Sequence, residues 1–428
     1  MQLTIEKLVY GGDGLARLAA DEHGHGKAVF VPFVLPGEQV EAEIIEDKTG
    51  FSRARSESIL SPSERRTRPL CPYFQSCGGC HYQHAGYEYQ LENKALILKE
   101  NLRRIAKLEL DRELKVHPSP PWNYRNRTRL KIQAEPAFAV GYYKFGSHEL
   151  LPVQECPISS PLINRAIGAL WQMNRAVSGL RQIELFSDAE DTQALVELDC
   201  IPEAQVSEVE QWAREFQRTL PEIAGVGIFR ALATRATTEP KRIAAIGAES
   251  LRYKTASVSF RVSAGAFFQV NRHLIEGLVD LVTHGRSGTL ALDLYAGVGL
   301  FSTMLARSFA QVVAVESSPI SHSDLLYNSP PNVKALRVTT EQYLEKAAGK
   351  LRPDFVVVDP PRSGLGARVL RQLLDLGTPR ITYVSCDPAT LARDLRGLLD
   401  GGYRMEEAHL VDLFPQTYHL ESAVQLVR

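Results

Sequence analysis

The feature that most constrains this fold is a series of short apolar runs from about residue 261 onward: LALDL, VVAVE, FVVVDPP, ITYVSCDP, HLVDLFP and AVQLV, separated by stretches of helical character. Runs that are apolar throughout, rather than alternating, belong to strands covered on both faces. Strand–helix alternation of this kind builds a mostly parallel sheet with helices on each side. Ligands of such sheets bind at the carboxyl ends of the strands, so the residues ending these runs are the first candidates for chemistry.

LALDLYAGVGLFS (290–302) reads as a strand, a glycine turn and a helix start, and Glu316 ends the next run. An acidic residue there accepts hydrogen bonds from ribose hydroxyls. Gly297 and Gly299 are in place, but Ser302 stands where a dinucleotide fold has its third glycine. The shorter turn suits S-adenosylmethionine, which has no pyrophosphate to cradle. For the turn alone, NAD binding and a plain strand–helix joint are the competing readings. Asp359 ends VVVDPP, in a turn stiffened by two prolines. Amino-group methyltransferases put a base-stacking aromatic after a comparable turn, and Arg362 in that place argues against their chemistry. A merely stiffened loop explains Pro360 and Pro361 equally well.

Cys386 ends ITYVSC, on the same sheet edge. A thiolate there has a definite use, because C5 of uracil is too weak a nucleophile to attack a methyl sulfonium unaided. Thiolate addition at C6 converts the ring to an enolate and makes C5 reactive. A base must then remove the C5 proton so that the thiolate can leave. Such a site also needs room for an extruded base. Glu421 and His419, in YHLESAVQL, are the candidate bases. The competing reading of Cys386 is a small buried hydrophobe.

The chain has 428 residues, enough for two or three domains. Residues 1–60 carry alternating strands and glycine turns and are expected to close as a small barrel. SPSERRTRP (61–69) reads as a linker, Tyr87 to about Lys107 as an amphipathic helix, and 117–260 as mixed strands and helices without a repeat. No apolar run reaches the roughly 20 residues that cross a bilayer. The start, MQLTIEKLVYGGDG, lacks the pattern of a signal peptide. The expected setting is therefore the cytoplasm, with no membrane partner.

There a reducing environment argues against disulfides among the 6 cysteines. Cys71, Cys77 and Cys80 form C-x5-C-G-G-C, and Cys156 is a possible fourth ligand. Structural zinc usually pairs two short knuckles. Three cysteines in one loop with one remote partner fit a [4Fe–4S] cluster better, with zinc as the alternative. Cys200 is left over and reads as core. A net charge of −1 does not advertise a nucleic-acid binder, so RNA contact needs segregated basic surface. WNYRNRTRLKIQ (122–133), read as a strand, projects Arg125, Arg127, Arg129 and Lys131 from one face beside Trp122 and Tyr124. That row can hold phosphates and stack a base, or be an ordinary solvated face.

Across nearly its whole length the chain resembles the bacterial RNA 5-methyluridine methyltransferases, in the ribosomal-RNA branch with a TRAM domain and an iron–sulfur cluster. CPYFQSCGGCHYQH, YRNRTRLKI, GYYKFGSHELLPVQECPI, FRVSAGAFFQVN, DLYAGVGLFS, DPPRSGL, YVSCDPATLARDL and FPQTYHLES carry the resemblance. It implies an α/β chain in three parts. These are a TRAM barrel (1–60), a central α+β domain holding a [4Fe–4S] cluster (61–86 and 117–260), and a Rossmann-like class I methyltransferase domain (87–116 and 261–428). It implies cluster ligands Cys71, Cys77, Cys80 and Cys156, and S-adenosylmethionine contacts at Gln269, Tyr295, Glu316 and Asp359. Cys386 is then the nucleophile and Glu421 the base. The implied substrate is a uridine of RNA, with 23S ribosomal RNA favoured over tRNA, and the protein is expected to act as a monomer. A non-catalytic RNA-binding or assembly factor is the rival class. After Glu316 this sequence is shorter than the family pattern and carries Pro330 and Pro331, so an adenine contact is assigned only to the neighbourhood of Thr339.

Overall fold

The structure, a computed structural model, describes residues 1–18, 26–110, 113–230, 241–347 and 349–428. The apolar runs form one eight-stranded sheet. Its order is Val333–Arg337, Phe309–Glu316, Gly288–Leu294, Phe355–Val358, Arg380–Ser385, Glu421–Val427, Arg404–Val411 and Lys115–His117. The first five run parallel, Glu421–Val427 is reversed, and Arg404–Val411 and Lys115–His117 follow the original direction. The order reverses between Gly288–Leu294 and Phe355–Val358, which makes their carboxyl ends the natural ligand crevice. Helices cover both faces. One core gathers Leu292, Val313, Val356 and Tyr383, the other Ala291, Val312, Val357 and Val384.

Two parts of the chain remote in sequence complete this unit. The helix Tyr87–Asn101, continued by a π-helical turn Leu102–Ala106, packs Ile97, Leu98, Leu102 and Ala106 into the first core. It is not amphipathic in the expected sense. Its buried positions include Gln90, Asn93 and Lys94, while Leu96 is exposed. The hairpin Ser250–Lys254 and Ser259–Ser263, placed by sequence with the central part, puts Leu251, Tyr253, Phe260 and Val262 into the second core.

Residues 2–61 form a six-stranded sheet whose edge strands, Gln2–Thr4 and Lys7–Leu8, are consecutive in the chain. Ile5 N–H donates to Glu38 O and Glu6 N–H to Leu15 O, so the sheet curls round on itself over Val29, Val31, Val40 and Ala54. The segment 61–69 is not a loose linker. The Arg66 guanidinium makes a bidentate pair with the buried Glu38 carboxylate, at 2.6 and 2.7 Å. A third, seven-stranded sheet spans Arg127–Gln133 to Lys241–Gly247 and is backed by the helices Pro161–Met173 and Val206–Thr219 around Trp212 and Phe216. Cys200 lies in that core. Among the described residues no helix is long and apolar enough to cross a membrane.

The basic row of residues 125–131 differs from its sequence expectation. Only Arg127, Arg129 and Lys131 lie in the strand Arg127–Gln133. Arg127 and Arg129 are both paired with Glu184, and Lys131 donates to Gln182. Tyr124 is buried, and with Trp122 it packs around Cys80 and Cys156 rather than facing solvent. The neighbouring strand supplies the opposite charges, which no reading of one strand alone could reveal.

Candidate active site

Strand ends bring the candidate residues together. Gly288–Leu294 runs into Tyr295, whose φ of 68° is a left-handed conformation that costs a non-glycine residue energy and is typical of functional turns. Gly299, with φ 93°, opens the next helix, and a side chain there would meet Leu325 at 2.8 Å. Glu316 ties the turn together, accepting from Gly297 N–H at 2.8 Å and Ser318 N–H at 2.7 Å. A narrow cleft above the turn is lined by Phe267, Gln269, Tyr295, Gly297 and Asp359. Gln269, Tyr295 and Asp359 thus meet on one cleft, with Glu316 gripping its floor. Thr339 is exposed, and its hydroxyl accepts from Gln342 N–H at 3.3 Å, as a cap of the helix Thr340–Ala347.

Carboxylates dominate this crevice. Asp293 is fully buried and accepts from the Ser302 hydroxyl, while its Oδ1 has no hydrogen-bond partner. Burial, with Glu316 nearby, pushes its carboxyl up to about 7. Asp359 is likewise pushed up to about 7, by burial and then by Asp293. Such a field favours the entry of a cation.

Cys386 follows the strand Arg380–Ser385 and is half-buried. Burial pushes its thiol up to about 12, reinforced by Glu421 and Asp359 and opposed by the Arg362 guanidinium. Glu421 opens the reversed strand, so its start lies beside the ends of the parallel ones, and only 4 % of it is exposed. Burial holds its carboxyl well above the usual carboxylate range, Asp359 adds to this and Arg362 opposes it. Cys386, Glu421, Asp359 and Arg362 therefore act on one another electrostatically. His419 faces Arg362 across 3.4 Å, and burial together with that guanidinium pushes its imidazole down to about 3, which makes it a poor proton acceptor.

The loop carrying His419 and Glu421 is fastened by the polar face of helix Tyr87–Asn101, an arrangement with no local sequence signal. Lys94 Nζ donates to Asp412 Oδ1 at 2.6 Å and to Phe414 O at 2.9 Å. The Gln90 amide exchanges hydrogen bonds with the Gln416 side chain and its N–H, at 2.9 and 3.0 Å, and holds Gln416 at φ 68°. Tyr124 OH donates to Pro415 O at 3.0 Å.

His419 also lines a second cavity of about 250 Å³, together with Cys71, Cys77, Cys80 and Cys156. Burial raises the thiols of Cys71, Cys77 and Cys80, with Cys77 reaching about 11, and Cys156 adds to each. Arg125 lines the same cavity with its Nε buried and unpartnered. Among the described residues no group of three or more His, Cys, Asp or Glu side chains is gathered as a site for a metal ion.

A class I methyltransferase sheet joined to a curled, oligonucleotide-type β domain defines the class: an RNA methyltransferase. Residues 86–428 match the tRNA (Uracil-5-)-methyltransferase family and residues 1–56 the TRAM domain. The chain belongs to that family of S-adenosylmethionine-dependent RNA uracil-C5 methyltransferases, with a TRAM domain before it. It is 35 % identical to an uncharacterized RNA methyltransferase of Aquifex aeolicus, covering 100 % of this chain and 98 % of the relative. A relative of the same description from Thermotoga maritima is 30 % identical, over 100 % and 99 %. The solved Pyrococcus abyssi tRNA (uracil-54, C5)-methyltransferase, in complex with S-adenosyl-L-homocysteine, shares the fold with a TM-score of 0.75 at 24 % identity, covering 100 % of both chains.

Proposed function

We propose that this chain methylates C5 of a uridine in RNA, with 23S ribosomal RNA as the first candidate, using Cys386 as nucleophile and Glu421 as base. The observation that carries the reading is the meeting of Cys386, Glu421, Asp359 and Arg362 at one sheet edge beside the glycine turn. Arg362 favours the thiolate of Cys386, which adds to C6 while the C5–C6 π electrons move toward O4. S-adenosylmethionine, when bound, supplies the electrophilic methyl that C5 takes up. Glu421 then accepts the C5 proton, the π bond re-forms, and Cys386 leaves as thiolate. A carboxylate of raised pKa is the stronger base, and His419 at about 3 is the weaker rival. Gln269, Tyr295, Glu316 and Asp359 would hold the cofactor, and the carboxylate field matches its sulfonium.

In this reading Cys71, Cys77, Cys80 and Cys156, which line one cavity, would hold a [4Fe–4S] cluster. The cavity offers about 250 Å³ and a buried guanidinium to balance thiolate charge. The cluster would cross-link the 71–80 loop to Cys156 beside His419. In this reading RNA is the macromolecular partner, and the chain acts in the cytoplasm as a monomer.

A second reading, tRNA as substrate, is favoured by the whole-chain likeness to the Pyrococcus abyssi enzyme. The test uses purified protein, radiolabelled S-adenosylmethionine, and separate unmodified 23S rRNA and tRNA, with mapping of the methylated nucleotide. Label as 5-methyluridine in rRNA alone supports the first reading, and label in tRNA supports the second. Absence of label in both defeats the enzyme reading in favour of an assembly factor. Cys386→Ala should abolish turnover and the covalent RNA adduct, whereas Glu421→Gln should trap that adduct. A surviving adduct in the former, or normal turnover in the latter, refutes the assigned roles.

A further inference from the structure

A side chain of the TRAM domain reaches the residue read as the nucleophile. Tyr10 OH donates to the carbonyl of Cys386 at 3.2 Å, across 376 positions of sequence. That carbonyl lies beyond both of the regular patterns beside it. The pairing of Arg380–Ser385 with Glu421–Val427 ends at Ser385 and Ser422. The helix Pro388–Asp400 begins after Asp387, whose Oδ1 takes the N–H groups of Ala389 and Thr390 at 3.0 and 2.9 Å. The Cys386 peptide thus bridges strand and helix, and the donor that fastens its carbonyl comes from another domain.

Tyr10 is itself held in place. Its ring stands edge-on to Tyr418 at 5.4 Å and packs against the first core of the large sheet. The turn that delivers it is closed by Val9 N–H donating to Asp13 O at 2.9 Å. Gly12, at φ 98°, lets that turn approach His81, whose ring a side chain there would meet at 2.9 Å. His81 N–H in turn donates to Gln416 O at 2.9 Å, and its ring lies 4.6 Å from Tyr418. The turn is therefore keyed to the loop that leads into Glu421. Burial, with Asp387 adding to it, pushes the Tyr10 hydroxyl up, so it stays protonated and remains a donor at any working pH.

We infer that Tyr10 is a positioning residue for the reaction, its hydroxyl pinning the Cys386 peptide so that the thiolate meets C6 of the bound uracil. The inference rests on the reading of Cys386 as nucleophile. Misplacing a reacting atom by about 1 Å costs on the order of 100-fold in rate. One hydrogen bond to the nucleophile's own peptide therefore has leverage on turnover out of proportion to its part in stability. Packing alone would need only the ring; the hydroxyl is the part that reaches Cys386.

Tyr10→Phe keeps the ring and removes the donor, and two rates are compared with those of the parent chain. The first is formation of the covalent Cys386 adduct with S-adenosylmethionine and 23S rRNA or tRNA carrying 5-fluorouridine, whose C5 offers the base no proton to remove. The second is alkylation of Cys386 by iodoacetamide without RNA, followed by mass mapping. Adduct formation should slow about tenfold, with KM for RNA and for S-adenosylmethionine unchanged. Alkylation should quicken by about two- to tenfold, the range one hydrogen bond commands, because a loosened thiol is easier for a small reagent to reach. Tyr403→Phe removes a matching bond, to Thr378 O at 2.7 Å, at the other end of the strand Arg380–Ser385, and should leave both rates as in the parent. An unchanged adduct rate, or two rates slowed together, overturns the inference. Normal adduct formation in both parent and Tyr10→Phe would leave the functional reading standing without it. A parent that forms no adduct at Cys386 defeats the functional reading instead, and alkylation then decides alone: a quickened rate sustains the hold of Tyr10 on Cys386, and an unchanged one removes it.

Discussion

Lys94→Met removes the cation from a pair in which both side chains are 0 % exposed. The Asp412 carboxylate would remain buried, with its Oδ2 already lacking a partner, and Phe414 O would lose its donor. Breaking a buried pair by deleting one member costs about 3–5 kcal/mol. At about 2–4 °C per kcal/mol for a unit of 150–250 residues, thermal unfolding should fall by about 6–20 °C. Adding Asp412→Asn takes away the stranded charge and should recover more than half of that loss. The same loop carries His419 and Glu421, so the single variant should also lose turnover at temperatures where it remains folded. Circular dichroism melts of the parent, single and double variants at pH 7.5 measure the stability effect. A loss below about 1 kcal/mol, or a double variant no more stable than the single, would show that the pair does not hold the loop.

Three further outcomes follow from the site. Asp359 and Asp293 have raised carboxyl values in the fold, so the stability tied to their protonation is present at low pH and is lost as pH rises toward about 7. Asp359→Asn should therefore raise the melting temperature more at pH 8 than at pH 5, measured without S-adenosylmethionine, while weakening binding of that ligand; an equal gain at both values contradicts the burial argument. Alkylation of Cys386 by iodoacetamide, followed by mass mapping across pH, should quicken in Glu421→Gln and slow in Arg362→Gln, because the two charges act on the thiol in opposite senses; shifts of the same sign would refute that field. Protein prepared without oxygen should carry a brown chromophore that Cys156→Ser removes, and a colourless parent protein that contains zinc would refute the cluster.

Much of the site was legible in the sequence because its residues end apolar strands, and the end of a parallel strand has a fixed place in such a sheet. Gly297, Glu316, Asp359 and Cys386 belong to that group. Glu421 is different. It meets the others because its strand is reversed, and nothing in AVQLV announces direction. The pairing of the basic row was not legible, because Glu184 lies on a neighbouring strand that enters the chain some fifty residues later. The strand Phe51–Ser61 carries little apolar signal, since Arg53, Arg55, Glu57 and Ser58 are exposed and its buried side rests on little more than Ser52 and Ala54. Tyr10 carries no motif that ties it to Cys386; only the packing of the TRAM turn against His81 does so.

The polar inner face of helix Tyr87–Asn101 bears on how the chain is made. Lys94 and Asp412 are 318 positions apart. At synthesis rates of about 5–20 residues per second, the helix waits roughly 15–60 s for its partner loop to emerge. A broad apolar face held open for that time would invite aggregation, whereas Gln90, Asn93 and Lys94 remain hydrated until Asp412 and Gln416 arrive. The central sheet, whose strands pair with near neighbours in sequence, can meanwhile form on its own. The helix is thus suited to remain soluble through a long delay, and the loop carrying His419 and Glu421 is fixed in place only when the last strands of the sheet have been made.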